Sequence, residues 1–258
     1  MPRLDQLDNQ IEENSIPGHG TYKFSAKKPK FLGASEYTLV TICIDISGSV
    51  EDFADLLNEC LIKILKACEK SERSENLMVR LLTFNHNVTE VHGFIELHSI
   101  DISIYKPFNT GGTTALFDCV YNGIGASVTY AETLIAQGFN VNGAVYIITD
   151  GDDNASLMKP NNIKESMNES LRTEKIESLN VVLVGVKYPN VTGAVWFDHI
   201  SVKLETFKIE ANLTQYVDVG DATPQKLAKL ADFVSRSISS QSNAINTGAP
   251  SQPVNINF

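Results

Sequence analysis

Apolar and polar positions recur along this chain in two periods, and the switches between them mark out alternating strands and helices. Thr38-Leu39-Val40-Thr41-Ile42-Cys43-Ile44 is an uninterrupted β-rich apolar run, which predicts a buried strand. After a short polar loop, Phe53, Leu56, Leu57, Cys60, Leu61, Ile64, Leu65 and Cys68 fall at helical spacing and predict a long amphipathic helix with one wide core face. Met78 to Phe84 reads as another buried strand. The polar turn Asn85-His86-Asn87 and the run from Val88 to Leu97 predict an antiparallel neighbour, so that a hairpin lies at one sheet edge.

The second half repeats the alternation. An irregular stretch from Asp101 to Asn109 leads to a glycine turn at Gly111-Gly112, which opens a helix to about Gln137. A second central strand spans Asn142 to Thr149, and a charged helix follows from about Asn161 to Ser178. Val181 to Val186 is a strand, and Tyr188 to Val202, which contains Trp196, reads as an extra loop or hairpin. Leu204 to Ala211 predicts a short helix and Gln215 to Val219 a short edge strand. Thr223 is a good N-cap with Pro224 at the first helical position, and the last helix runs to about Ser239.

Strands alternating with helices predict an α/β fold: a doubly wound, mostly parallel sheet with one antiparallel edge strand and helices on both faces. Residues 1–36 are polar and show no sustained periodicity, so they predict an N-terminal arm crossing the surface of a domain that spans 37–240. Residues 241–258 predict a polar C-terminal tail. The Lys27-Lys28-Pro29-Lys30 cluster in the arm reads as a solvated turn. A chain of 258 residues is long enough to bury one substantial core.

Charge then narrows the partners. The net charge of -10 argues against a nucleic-acid partner, because phosphate contacts need clustered Lys and Arg. The first fifteen residues lack an apolar signal region, and no run of about 18 apolar residues predicts a membrane span. The four cysteines, Cys43, Cys60, Cys68 and Cys119, lie in apolar strand or helix patterns without a CxxC spacing and read as buried free thiols. Together these features predict an intracellular, cytoplasmic protein.

Candidate chemistry sits where the apolar runs stop. The first strand ends in Asp45-Ile46-Ser47-Gly48-Ser49, one carboxylate and two hydroxyls set two residues apart. In an open α/β sheet that strand-to-helix turn lies at the carboxyl edge, where ligands bind. The central strand ends on another carboxylate, Asp150, and the glycine turn carries Thr113 and Thr114. Hard oxygen donors from three loops suit Mg2+ or a similar ion (Mn2+ or Ca2+) better than a soft metal.

Here the chain resembles the von Willebrand factor A family and its metal-ion-dependent adhesion site. Asp45-Ile46-Ser47-Gly48-Ser49 matches that family's Asp-x-Ser-x-Ser motif, Gly111 to Asp118 resembles its threonine loop, and Thr149-Asp150-Gly151 its third motif. The likeness covers roughly residues 37–240. It implies that Ser47 and Ser49 ligate the ion directly, that Thr114 does so directly or through water, and that Asp45 and Asp150 hold coordinated waters. Matching Ala115-Leu116-Phe117-Asp118 to the family pattern favours Thr114, whereas counting from the paired glycines favours Thr113. The resemblance further implies a partner carboxylate completing the metal shell, and partners such as an AAA+ ATPase or a stress-system component.

Other motifs are weaker. Asp150-Gly151-Asp152-Asp153-Asn154 opens like a calcium loop, but Ala155 and Asn161 stand where that loop needs Gly and Glu, so Asp152 and Asp153 read as a solvated rim. Gly123-Ile124-Gly125 lies mid-helix and reads as a packing contact, and there is no Walker A lysine motif. The five histidines share no metal-ligand spacing. Two function classes follow: a non-enzymatic, metal-dependent protein-interaction module acting as adaptor or scaffold, and, as the alternative, a metal-dependent phosphoester hydrolase using Asp45 as nucleophile or base.

Overall fold

The computed structural model describes residues 9–18, 22–172, 175–187 and 194–245. Its centre is a parallel sheet. Strand β3 (Glu36–Asp45) pairs with β4 (Leu77–Phe84) on one side and β6 (Asn140–Thr149) on the other, followed by β7 (Leu179–Lys187) and β8 (Gln215–Asp221). β5 (Val88–Glu96) runs antiparallel to β4, as the polar turn at 85–87 predicts. The connections change direction at β3, which puts its carboxyl end at the switch point of a doubly wound sheet.

Helices cover both faces. On one, α1 (Ala54–Glu69) and α5 (Pro224–Ala244) bury Val40, Ile42 and Ile44 of β3; on the other, α2 (Leu116–Ile135), α3 (Pro160–Arg172) and α4 (Ala194–Glu210) cover Leu39 and Cys43. This split follows from the two-residue period of a strand, which sends neighbouring side chains to opposite faces. The helical stripe of α1 meets its expectation, because Leu57, Leu61, Ile64 and Leu65 are all buried. Each such side chain contributes roughly 1.5–3 kcal/mol by leaving water. Gly123 and Gly125 are packing contacts. A Cβ on Gly123 would lie 3.1 Å from Val145 Cγ1, and one on Gly125 only 2.4 Å from Ile16 Cγ2. Thr223 caps α5, its side chain accepting from Lys226 N at 3.3 Å. All four cysteines are buried and free.

The structure differs from expectation at four places. The arm supplies a hairpin, β1 (Ile11–Ser15) and β2 (Lys23–Lys27), which extends the sheet beyond β5 to eight strands, with Ala26 bridged to Phe94. Two five-residue strands with only Phe24 and Ala26 deeply buried give too short an alternation to stand out. Lys27 is accordingly not part of a solvated turn: it is buried and ion-paired with Glu96. α3 stops at Arg172, short of Ser178, and residues 188–193 of the expected loop lie outside the described residues. The remainder of that stretch is helical: α4 begins at Ala194 and contains the short helix expected at Leu204–Ala211. Its consecutive apolar residues Val195-Trp196-Phe197 obscure the helical period. Finally, α5 continues to Ala244, because Gln241 and Ser242 are buried against the sheet end: Asn142 Nδ2 donates to Gln241 O, and Gln241 Nε2 donates to Gly143 O at 3.0 Å. The rest of the predicted tail, 246–258, lies outside the described residues.

Candidate metal centre

Three loops meet at the carboxyl edge of β3 and β6, and backbone hydrogen bonds lock them together. Ile46 N donates to Phe84 O at 2.8 Å, Gly111 N to Ile46 O at 2.9 Å, and Gly48 N to Gly112 O at 3.1 Å. Asn85 bridges the β4 end to the threonine loop: its Nδ2 donates to Gly111 O at 2.8 Å, and its carbonyl accepts from Ala115 N at 2.6 Å. Gly112 has a positive φ of 84°, and a Cβ there would sit 2.4 Å from His86 Nδ1, so both backbone and space demand glycine.

Parallel register brings the first carboxylate and the central strand end together. Ile44 pairs with Ile148, so Asp45 stands beside Thr149, whose Oγ1 donates to Asp45 Oδ2 at 2.5 Å. The other oxygen, Oδ1, accepts from Ser47 N at 2.8 Å. Ser47 Oγ lies 3.2 Å from Ser49 Oγ, which donates to Asp150 Oδ1 at 2.8 Å. Asp45, Ser47, Ser49 and Asp150 thus form one continuous oxygen cluster. Thr114 is 4% exposed, whereas Thr113 is exposed. A Cβ added to Gly151 would lie 3.9 Å from Thr114 Oγ1, which places that hydroxyl beside the Asp150 loop. Asn154 fixes it there: Asn154 Oδ1 accepts from Thr114 N at 2.7 Å, while Thr114 O accepts from Asn154 N at 3.0 Å.

The electrostatics are those of an acidic site short of positive charge. Asp45 and Asp150 are 0% and 5% exposed, and among the described residues neither has a cationic side chain within 4.0 Å. Burial pushes the Asp150 pKa up to about 7, the Asp45 charge adds to the rise, and the Ser49 hydrogen bond opposes it. Asp45 is also raised by burial, against the hydrogen bonds from Thr149 and Ser47. A divalent cation fits this donor set. Hydroxyl and carboxylate oxygens from three loops are its preferred ligands, and its charge offsets two buried acids.

Supporting residues emerge here that the motif reading does not single out: Thr149, Asn85 and Asn154. Each is a polar residue on a loop or strand end that fixes a backbone or a carboxylate, and only tertiary proximity reveals the task. Asp153 departs from its expected place on a solvated rim. It is half-buried and accepts from Phe117 N at 3.2 Å, capping the start of α2, and Asp118 accepts from Leu157 N and Met158 N at 3.0 and 2.7 Å. Asp152 does stand at the rim, where its Oδ2 pairs with Lys203 Nζ at 2.6 Å. Beside Ser47, Ser49 and Thr114 opens a cleft of about 450 Å³, closed on its far side by His199, Ile200 and Lys203 of α4.

No family model matches this chain, and no curated protein sequence does either. Solved structures do resemble it. The PilB minor pilin from Streptococcus sanguinis matches over 80% of this chain and 62% of its own length, at 15% identity and a TM-score of 0.54. The pilus adhesin SpaC from Lactobacillus rhamnosus GG, in an open conformation, matches 90% of this chain and 32% of its own, at 10% identity and a TM-score of 0.53. Proximal thread matrix protein 1 from the mussel byssus matches 80% of this chain and 47% of its own, at 17% identity and a TM-score of 0.50. The chain therefore spans less than two thirds of the length of each. Such likeness shows the fold alone, a mostly parallel α/β sheet between helices that is consistent with a von Willebrand factor A-like fold.

Proposed function

We propose that this protein is a divalent-metal-dependent protein-interaction module without enzymatic activity, which presents a bound ion to an acidic side chain of its partner. The observation that carries the reading is the oxygen cluster of Asp45, Ser47, Ser49 and Asp150, with Thr114 beside it, buried without a cationic counterpart among the described residues. Ser47, Ser49 and Thr114 would hold Mg2+, or Mn2+ or Ca2+, with Asp45 and Asp150 balancing its charge. An ion bound mainly by neutral hydroxyls keeps a strong attraction for one more anionic oxygen, which the partner supplies through the adjoining cleft.

Asp45 fits a supporting role better than that of a hydrolytic nucleophile. Each of its oxygens accepts a hydrogen bond, from Ser47 N and Thr149 Oγ1, and the side chain is fully buried, which disfavours attack on a substrate. We place the module inside the cell, as an adaptor beside an AAA+ ATPase or a stress-system component. Four buried free thiols support a reducing compartment. Among the described residues no helix is long and apolar enough to cross a membrane.

The test is capture from cell extract by wild type and by Asp45→Ala, each with Mg2+ and with EDTA. A partner retained only by wild type with metal is the expected result. Equal capture under all four conditions overturns the proposal, and Mg2+-dependent phosphoester turnover that Asp45→Ala removes would put the hydrolase in its place.

A further inference from the structure

Away from the metal edge, α1 and α5 lie side by side and run in the same direction. Cys60 Sγ donates to Leu227 O at 3.4 Å, the hydroxyls of Ser71 and Ser239 lie 3.4 Å apart, and Arg73 Nε donates to Ser242 Oγ at 3.1 Å. Because α1 starts just after Ser49 and runs back along the sheet, its last turns reach the edge opposite the carboxylates. Between the second halves of the two helices runs a groove of about 510 Å³. Short side chains, Ala67 on α1, Ser71 just beyond its end, and Ser235 and Ser239 on α5, keep it open.

The groove is basic in a chain whose net charge is -10. Lys63, Lys66, Lys70 and Arg236 line it against the single carboxylate of Asp232. Asp232 pairs with Arg236 at 2.8 Å, and Lys63 lies 3.7 Å from the exposed Glu59. Among the described residues, Lys66 and Lys70 have no carboxylate within 4.0 Å. Complementing the dipole at the end of α1 accounts for Lys66 and Lys70. It accounts for neither the open channel nor Lys63, which stands a turn earlier on the same wall.

We propose that this groove is a second docking site, which takes an extended acidic segment of a partner protein. Lys66, in the last turn of α1, and Lys70, its C-cap, are one turn apart, a rise of about 6 Å. Alternate residues of an extended strand, which face the same way, are about 7 Å apart. Asp or Glu at alternate positions therefore meets both lysines, with Arg236 on the opposite wall. Charge complementarity favours acid, and the surroundings favour a peptide over a lipid surface. The large exposed apolar side chains among the described residues are Phe31, Val91, Leu157, Val202 and Ile209, and none lines the groove to enter a bilayer. Two separate surfaces would let one module bridge two partners.

The test uses the full chain and a fluorescein-labelled peptide of alternating Glu and Gly, read by anisotropy at low and high salt. Wild type is expected to bind with or without EDTA, more weakly at high salt. Lys66→Glu with Lys70→Glu should weaken binding at least about tenfold, while Lys164→Glu with Lys208→Glu, the same charge change elsewhere, should weaken it less than about twofold. Circular dichroism confirms that both variants are folded. The proposal is overturned by no binding by wild type, by equal losses in the two double variants, or by tighter binding to phosphatidylserine vesicles than to the peptide. Loss with EDTA would do so too, by moving the contact to the metal face. The metal-dependent capture described above reads out separately, so either site can fail alone.

Discussion

Two regions of this protein bury charge, and they treat it in opposite ways. Along the hairpin side of the sheet each buried ion has an internal counter-ion: Lys27 with Glu96, and Arg80 with Glu90 at 2.6 Å. Arg80 is fully buried, and its guanidinium also lies 5.8 and 5.9 Å from the ring centres of Phe24 and Phe94. At the carboxyl edge, Asp45 and Asp150 are equally buried and have only neutral hydrogen-bond donors. A charge matched within the chain belongs to the architecture. A charge left unmatched, at a switch point and beside a cleft, marks a candidate binding site.

That contrast can be broken by experiment. The largest effect is expected on the hairpin side. Lys27→Ala leaves the buried Glu96 carboxylate with only the exposed His98 imidazole, 3.7 Å away, and should cost about 3–5 kcal/mol in urea unfolding with metal affinity unchanged. Replacing both partners, Lys27→Met with Glu96→Leu, should recover most of the loss, and failure to recover would mean that the pair is more than a matched charge.

At the other edge the proposed counter-ion would come from solution. Mg2+ at a hundred times its dissociation constant should stabilise wild type by about 2.7 kcal/mol. It should leave the melting temperature of Asp45→Ala unmoved. A shift of equal size in the variant would remove the carboxyl edge from metal binding. Asn154→Ala sharpens the comparison, because it deletes the acceptor for Thr114 N while sparing every proposed ligand. Calorimetry should show at least about a tenfold loss of Mg2+ affinity, the range expected when a ligand loses its support.

The smallest effect returns to the hairpin side. His92 is half-buried, with Nε2 2.6 Å from Tyr105 Oη, and loss of hydration lowers its pKa below the ordinary histidine value. The unfolded chain therefore takes up a proton as pH falls through about 6.5 while the folded ring stays neutral, so this contribution to stability is lost on acidification. His92→Gln should flatten the fall in stability below that pH, and an unchanged slope would assign the fall to other groups.

Much of this was legible in the sequence. Strong periodicity gave the central strands and α1, since long apolar runs and a wide helical stripe can be buried in few other ways. The Asp-x-Ser-x-Ser loop stands out as a candidate site because its three oxygen donors lie within five residues. The β1–β2 hairpin, the helical start of α4 and the last turn of α5 were not legible. Short strands with few buried side chains, a helix whose apolar and charged residues follow no single stripe, and the glutamine at 241 have no local pattern that distinguishes them.

The sequence by itself determined the order of strands and helices and which loops carry hard oxygen donors, because periodicity and residue chemistry are local. Only the tertiary structure decided that Thr149 grips Asp45, that Asn154 turns Thr114 inward while Thr113 faces solvent, and that Lys27 is buried with Glu96. These contacts join residues from 40 to 104 positions apart. Parallel register and loop packing bring them together, and neither is written in any short window of the chain.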